Sequence, residues 1–209
     1  MMRIESVAAQ PDRVGRHTVR FEDGKVMRLY KQTIQDFGLY PGLEMSQEEF
    51  EKLNEAASAM SAKMRAVRIV AASNVSQKDL EQRLIRKGED PRQAKNAVQW
   101  MESMQLVDDR RTAEQIVQRC IHKGYGLARA KQALYEKRIP KEYWDEVLAD
   151  YPDQTDSIVD FLRNKLGDSK DPDQVRKAIN ALIRRGHNYG RIRSALNQLD
   201  LDTEEFPEG

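Results

Sequence analysis

Apolar residues recur along most of this chain at three- and four-residue spacing, and the clearest run lies between Leu106 and Leu148. There Ala113, Ile116, Val117, Cys120 and Ile121 form one face of a helix, because residues three and four apart share a side. Gly124 ends that helix, as a glycine in the left-handed conformation does. Leu127, Ala130, Ala133 and Leu134 give a second stripe. Tyr143, Trp144, Val147 and Leu148 give a third, whose first turn opens at Pro140, where a missing N–H costs nothing. Helices this short cannot hold their apolar faces without neighbours.

The same pattern appears on both sides. Ser46-Gln47-Glu48-Glu49 is a capping box. It opens a long helix carrying Phe50, Leu53, Ala57, Met60, Met64, Val67 and Ala71, and the pattern leaves open a break near Ser58 or Ser61. Ser76 with Asp79 starts another helix, with Leu80, Leu84 and Ile85 facing inward and Gly88 as its stop. Asp90-Pro91 starts the next, with Ala94, Ala97, Val98, Met101 and Met104. Three more helices follow at 157–166, 171–186 and 188–199. Residues 1–45 differ. Alternating, β-branched stretches at 3–8, 16–21 and 26–30, with an Asp23-Gly24 turn between the last two, predict two or three antiparallel strands. So small a sheet must rest on something helical. One helical turn is expected at 33–37.

The helices repeat. The stretches 66–73, 112–120 and 157–166 read as first helices, and 79–88, 128–138 and 175–186 as second helices. Leu84, Leu134 and Leu182 match at offsets of 50 and 48, and Pro91 and Pro140 each open a third helix. Stacked units of this kind share a continuous core. The expected fold is therefore mainly α: three tandem three-helix repeats forming an elongated, curved body, with a small N-terminal antiparallel β-hairpin or sheet. The expected boundaries are a hairpin extension at 1–45, a linking helix and first repeat at 46–107, a second repeat at 108–151, a third at 152–200 and a frayed acidic tail at 201–209.

Charge adds a partner class. The chain has 35 Lys and Arg against 34 Asp and Glu, so net charge points to none. Its distribution is uneven. From Ser61 to Arg138 there are 17 basic residues against 9 acidic, and from Val175 to Leu199 six basic and no acidic. Residues 139–174 reverse this, with 10 acidic against 4 basic. Each second helix gathers cations toward its end: Arg83, Arg86 and Lys87; Arg129, Lys131, Lys137 and Arg138; Arg184 and Arg185. Arg119 and Lys123 end a first helix, and Arg191 and Arg193 lie on the last. Cations at helix C-termini complement the dipole without any ligand, and a charged helical face is ordinarily just solvated. Recurrence at matching positions goes beyond that. It would align a stripe of charge suited to a phosphate backbone or to an acidic protein groove. Tyr125, Tyr135 and Tyr189 are the few aromatics nearby, so base stacking is not indicated.

Reactive constellations do not emerge. No glycine-rich loop with Lys-Ser/Thr occurs. His17, His122 and His187 lack metal-ligand spacing, and the latter two read as helix caps or solvent-facing groups beside glycines. Asp108-Asp109 precedes a helix and reads as an N-cap. The single cysteine, Cys120, lies on an apolar stripe and reads as core. One cysteine permits no internal disulfide, which suits a reducing cytosol. No apolar run reaches the ~20 residues of a membrane span, and no signal segment opens the chain. A cytoplasmic, non-enzymatic protein without cofactor or metal is expected.

These residues resemble the RecX family, regulators of the bacterial recombinase RecA. Ala66, Leu80, Leu84 and Lys87-Gly88 match its first unit. Asp108-Asp109 matches the aspartates of its glycine-tyrosine-leucine-aspartate-aspartate junction, though Gln105-Leu106-Val107 replaces the start. Arg119, Lys123-Gly124, Gly126 and Leu134 match the second unit, where Arg138-Ile139 stands for the usual lysine-glycine-isoleucine. Ile183 and Arg184-Arg185-Gly186 match the third, and residues 37–46 resemble the extension of the Gram-positive branch. The resemblance implies a non-enzymatic modulator of recombination and repair. It would act as a monomer, bind the RecA–single-stranded DNA filament, contact single- and possibly double-stranded DNA, and damp ATP hydrolysis and strand exchange. The rival reading is a general nucleic-acid-binding helical repeat without a recombinase partner.

Overall fold

The structure is a computed structural model, and it describes residues 1–201. Strands β1 (Met2–Val7), β2 (Arg16–Phe21) and β3 (Val26–Tyr30) lead into α1 (Lys31–Asp36) and the short β4 (Glu44–Met45). Ten helices in all are described: after α1 come α2 (Gln47–Ala72), α3 (Gln77–Arg86), α4 (Pro91–Ser103), α5 (Asp109–His122), α6 (Leu127–Glu136), α7 (Trp144–Leu148), α8 (Thr155–Leu166), α9 (Pro172–Arg184) and α10 (Tyr189–Gln198). The fold is mainly α with a small antiparallel sheet, as expected. Two compact units divide between Val107 and Asp108. The tail expected at 201–209 lies outside the described residues from 202 onward.

In the first unit the sheet has four strands, ordered β3-β2-β1-β4, where the sequence predicts two or three. The added strand is two residues long, pairing Met2 with Met45 and Arg3 with Glu44. Its length is too short for alternation to betray it. The inward faces of Ile4, Val19, Phe21 and Leu29 pack on Leu53 of α2, so the sheet does rest on a helix. The capping box forms: Glu49 N–H donates to Ser46 Oγ and Ser46 N–H to the Glu49 carboxylate, at 3.2 and 2.7 Å.

Helix α2 runs unbroken through Ser58 and Ser61. Its first half supports the sheet. Its second half buries Ala62 and Ala66 against α3 and α4, joining Leu80, Leu84, Ala97 and Met101. That differs from the expected stripe, which ends on the exposed Ala71. Two faces are buried in turn, and small side chains let the crossing helices approach. Met104, also expected inside, is the C-cap of α4 and is 56% exposed.

The second unit holds two three-helix modules. In the first of them, Ala113, Val117, Leu134 and Ile139 form the core. The third helix there begins as a 3₁₀ turn, Lys141–Tyr143, behind Pro140 and continues as α7. Leu127, expected in the α6 stripe, stands at the first helical position and is 41% exposed. Ile158, Leu162, Ala178, Leu182, Ile192 and Leu196 form the core of the other module.

Leu84, Leu134 and Leu182 are all fully buried, and each ends its helix identically. The carbonyl of each accepts a backbone N–H from five residues on, from Glu89, Ile139 and His187 at 3.1, 3.0 and 3.2 Å. The residue before each donor has positive φ: Gly88 at 88°, Arg138 at 54° and Gly186 at 82°. A left-handed residue here turns the chain and satisfies carbonyls that the helix end would orphan. The next residues, Asp90, Pro140 and Asn188, then share an extended conformation before the third helix.

Candidate functional site

The helix-end motif places the expected cations. Helices α3 and α9 close with cationic residues in the last turn or at the cap: Arg83, Arg86 and Lys87, and Arg184 and Arg185. Helix α6 corrects the expectation: Arg129 and Lys131, expected toward its end, lie in its first half, and only Lys137 at the cap and the left-handed Arg138 follow it. Arg83, Arg86 and Lys87 belong to the first unit and the other ten candidates to the second.

Several are already engaged. Arg83 pairs with Asp79 at 2.9 Å and donates to Ser73 Oγ at 3.3 Å. Arg129 pairs with Glu136 at 3.0 Å, and that bond raises the guanidinium's affinity for its proton. Arg191 pairs with Asp153 at 3.3 Å. Arg185 lies over the Phe161 ring, 4.5 Å from its centre, and Lys123 sits 5.9 Å from that of Tyr125. Arg86 donates to the Gln82 carbonyl at 3.3 Å. Lys137, Arg138 and Arg193 also have partners. Lys87, Arg119, Lys131 and Arg184 are exposed, and they carry no ion pair among the described residues. These four have the most charge to offer, because nothing must be displaced to use them.

The structure also gathers cations that the sequence reading left apart. In the first unit, Arg16, Arg65 and Arg68 join Arg83 and Lys87 around one cleft. Arg65 and Arg68 are a turn apart on α2, a spacing that a search for paired cations would register. Arg16, on β2, comes to them only through the tertiary fold.

Other candidates take structural roles. Asp108 caps α5 by accepting from Arg111 N–H at 3.0 Å. Cys120 is buried, and that burial pushes its thiol up. Of the two readings of His187, helix cap or solvent-facing group, the structure takes the first: it is 7% exposed, with Nε2 2.9 Å from the Gly124 carbonyl at the end of α5. A carbonyl only accepts, so Nε2 carries the proton. Among the described residues, no group of three or more His, Cys, Asp or Glu side chains could hold a metal ion. Nor is any described helix long and apolar enough to cross a membrane.

Comparison with known proteins agrees with this fold. Residues 108–148 match the family model of the RecX second three-helix domain. Regulatory protein RecX of Clostridioides difficile (strain 630) is 24% identical over 210 residues, covering 98% of this chain and 97% of that one. Regulatory protein RecX of Xanthomonas axonopodis pv. citri (strain 306) is 30% identical over 141 residues, covering 66% of this chain and 86% of the relative. A crystal structure of a regulatory protein RecX superposes with a TM-score of 0.65 at 16% identity, covering 94% of this chain and all of the other. RecX from Lactobacillus salivarius gives 0.58 at 18% identity, over 70% and 99%. Matched through its helical modules and over nearly its whole length, the chain belongs to the RecX family of regulatory proteins.

Proposed function

We propose that this protein is a non-enzymatic regulator of homologous recombination and DNA repair. It binds the RecA–single-stranded DNA filament and lowers that filament's ATPase and strand exchange. The observation that carries this reading is the helix-end motif. One turn, anchored on Leu84, Leu134 and Leu182, sets cationic residues at the same place in three modules. Charge repeated along a helical scaffold suits a partner whose own charge repeats, as a nucleic-acid strand in a filament does. On this reading the contacts are made by Arg83, Arg86, Lys87, Arg119, Lys123, Arg129, Lys131, Lys137, Arg138, Arg184, Arg185, Arg191 and Arg193. The protein works in the cytoplasm as a monomer, without cofactor or membrane, and serves the SOS response.

The test is RecA ATPase on single-stranded DNA with this protein titrated in. A fall in turnover at micromolar protein is expected, and unchanged turnover rejects filament regulation. The second reading, general nucleic-acid binding, predicts tight, salt-sensitive binding to bare DNA with no effect on that ATPase.

A further inference from the structure

The basic cleft of the first unit joins the α3 helix end, through Arg83 and Lys87, to cations that lie outside the repeated motif. Arg16 is the first residue of β2, Arg65 and Arg68 lie on α2, Arg83 is on α3 and Lys87 caps α3. Together they surround a cleft of about 540 Å³. Like charges converge from three separate stretches of chain, a costly arrangement unless something answers it.

Part of the answer is internal. Asp12 pairs with Arg16 at 2.8 Å, Glu89 with Arg65 at 2.5 Å and Asp79 with Arg83 at 2.9 Å. Arg68 donates to the Tyr30 hydroxyl at 3.2 Å. Five cations thus face three carboxylates, and those carboxylates have further donors of their own. Asp12 accepts from the backbone N–H of Val14 and Arg16 at 3.0 and 2.9 Å, and Glu89 from the Ser61 hydroxyl at 3.0 Å. The acids are therefore occupied, while the arginines are not: a guanidinium has five N–H donors and one carboxylate uses at most two. The carboxylates act as braces, holding the planar forks in place with donors left over.

We propose that this cleft grips the phosphodiester backbone of a nucleic-acid strand. Phosphates supply paired oxygens that match the guanidinium fork. A strand carries about one charge per 3.4 Å of helix axis, so several fall within one short cleft. The lining contains no aromatic ring, so the grip falls on the backbone and not on base identity. This rests on the reading that the protein works on a nucleic-acid-loaded filament, and adds Arg16, Arg65 and Arg68 to its contacts.

The experiment uses the full chain and a labelled single-stranded oligonucleotide of mixed sequence, with anisotropy followed over a salt series. The variant is Arg68→Gln with Lys87→Gln, both exposed side chains that brace no carboxylate among the described residues. Two lost phosphate contacts lower the log–log salt slope by about 1.4, and affinity at low salt falls at least about tenfold, with the urea midpoint unchanged. An unaltered slope and affinity overturn the proposal. Should the double variant unfold, Lys87→Gln alone is read for a slope change of about 0.7. Polyglutamate that competes as well as the oligonucleotide at equal charge also overturns it, in favour of an acidic protein partner. RecA ATPase measured alongside separates the two readings. Wild-type protein that leaves the ATPase unchanged rejects filament regulation while the oligonucleotide result still judges the cleft.

Discussion

Gly126 and Gly186 meet so closely that a Cβ built on Gly126 would lie 2.0 Å from the Gly186 carbonyl oxygen. The contact joins the two modules of the second unit. Gly126 N–H donates to the Arg185 carbonyl at 2.9 Å, and a Cβ on Gly186 would in turn meet Arg129 N at 2.2 Å. Gly126 itself has φ −74° and ψ 164°, which any residue adopts. Its glycine is demanded by space and not by backbone freedom. Gly126→Ala is therefore expected to destabilise the second unit by about 3 kcal/mol, the upper range of overpacking, because the opposing atoms are backbone and cannot rotate away. Urea unfolding of the full chain measures it, and a cost near that of a surface substitution would show that the modules are not in this contact.

Arg138 occupies the left-handed turn position that Gly88 and Gly186 fill in the other modules. An L-residue held there costs roughly 1–2 kcal/mol, part of which glycine returns through its freer unfolded chain. Arg138→Gly is expected to stabilise the protein by about 1 kcal/mol, a rise in Tm of about 2–4 °C for a chain of this size. A fall in Tm would mean that the arginine's own contacts outweigh the strain. Weaker DNA binding by the same variant would show why a strained arginine is kept.

What the sequence disclosed here follows the range of the interaction. Leu84, Leu134 and Leu182, the Ser46 capping box and the Asp90 and Asp108 caps depend on residues within a turn or two, and local pattern revealed them. The pairing of β1 with β4, the approach of Gly126 to Gly186 and the meeting of Arg16 with Arg65 each join distant parts of the chain. No periodicity encodes such pairs. Leu127 and Met104 show a subtler failure: both keep helical spacing, but each stands at a helix end, where the inward face has run out.

His187 makes the junction of these modules sensitive to pH. Burial pushes its pKa below the ordinary histidine value of about 6.5; the bond to Gly124 opposes this in part, and Arg185 and Arg191 add smaller lowering contributions. The folded state thus favours the neutral ring. Between the depressed folded pKa and about 6.5, the unfolded chain binds more protons, so stability rises with pH across that window. The contribution is complete above about 6.5 and is lost as pH falls through it toward the folded value. Urea midpoints at pH 7.5 and 5.5 should show this loss in the wild type. His187→Gln, whose amide can still donate to the Gly124 carbonyl, should lose less, and equal losses would refute the assignment.

Arg184 and Arg185 are neighbours at the end of α9, but their surroundings separate binding from stability. Arg184 is exposed, without an ion pair among the described residues. Arg185 is half-buried, stacked on Phe161, and its carbonyl holds Gly126. Reversing Arg184 to Glu should weaken binding to DNA or to the RecA–DNA filament and leave the urea midpoint within about 0.5 kcal/mol of wild type. Reversing Arg185 should weaken binding too, and also cost about 0.5–2 kcal/mol for the lost contact with the ring. Arg185→Lys, which keeps the charge but gives up the planar stack, should retain most of the binding and lose part of the stability. If Arg184→Glu binds as wild type does, the end of α9 is not a contact surface, and its cations serve only the helix dipole.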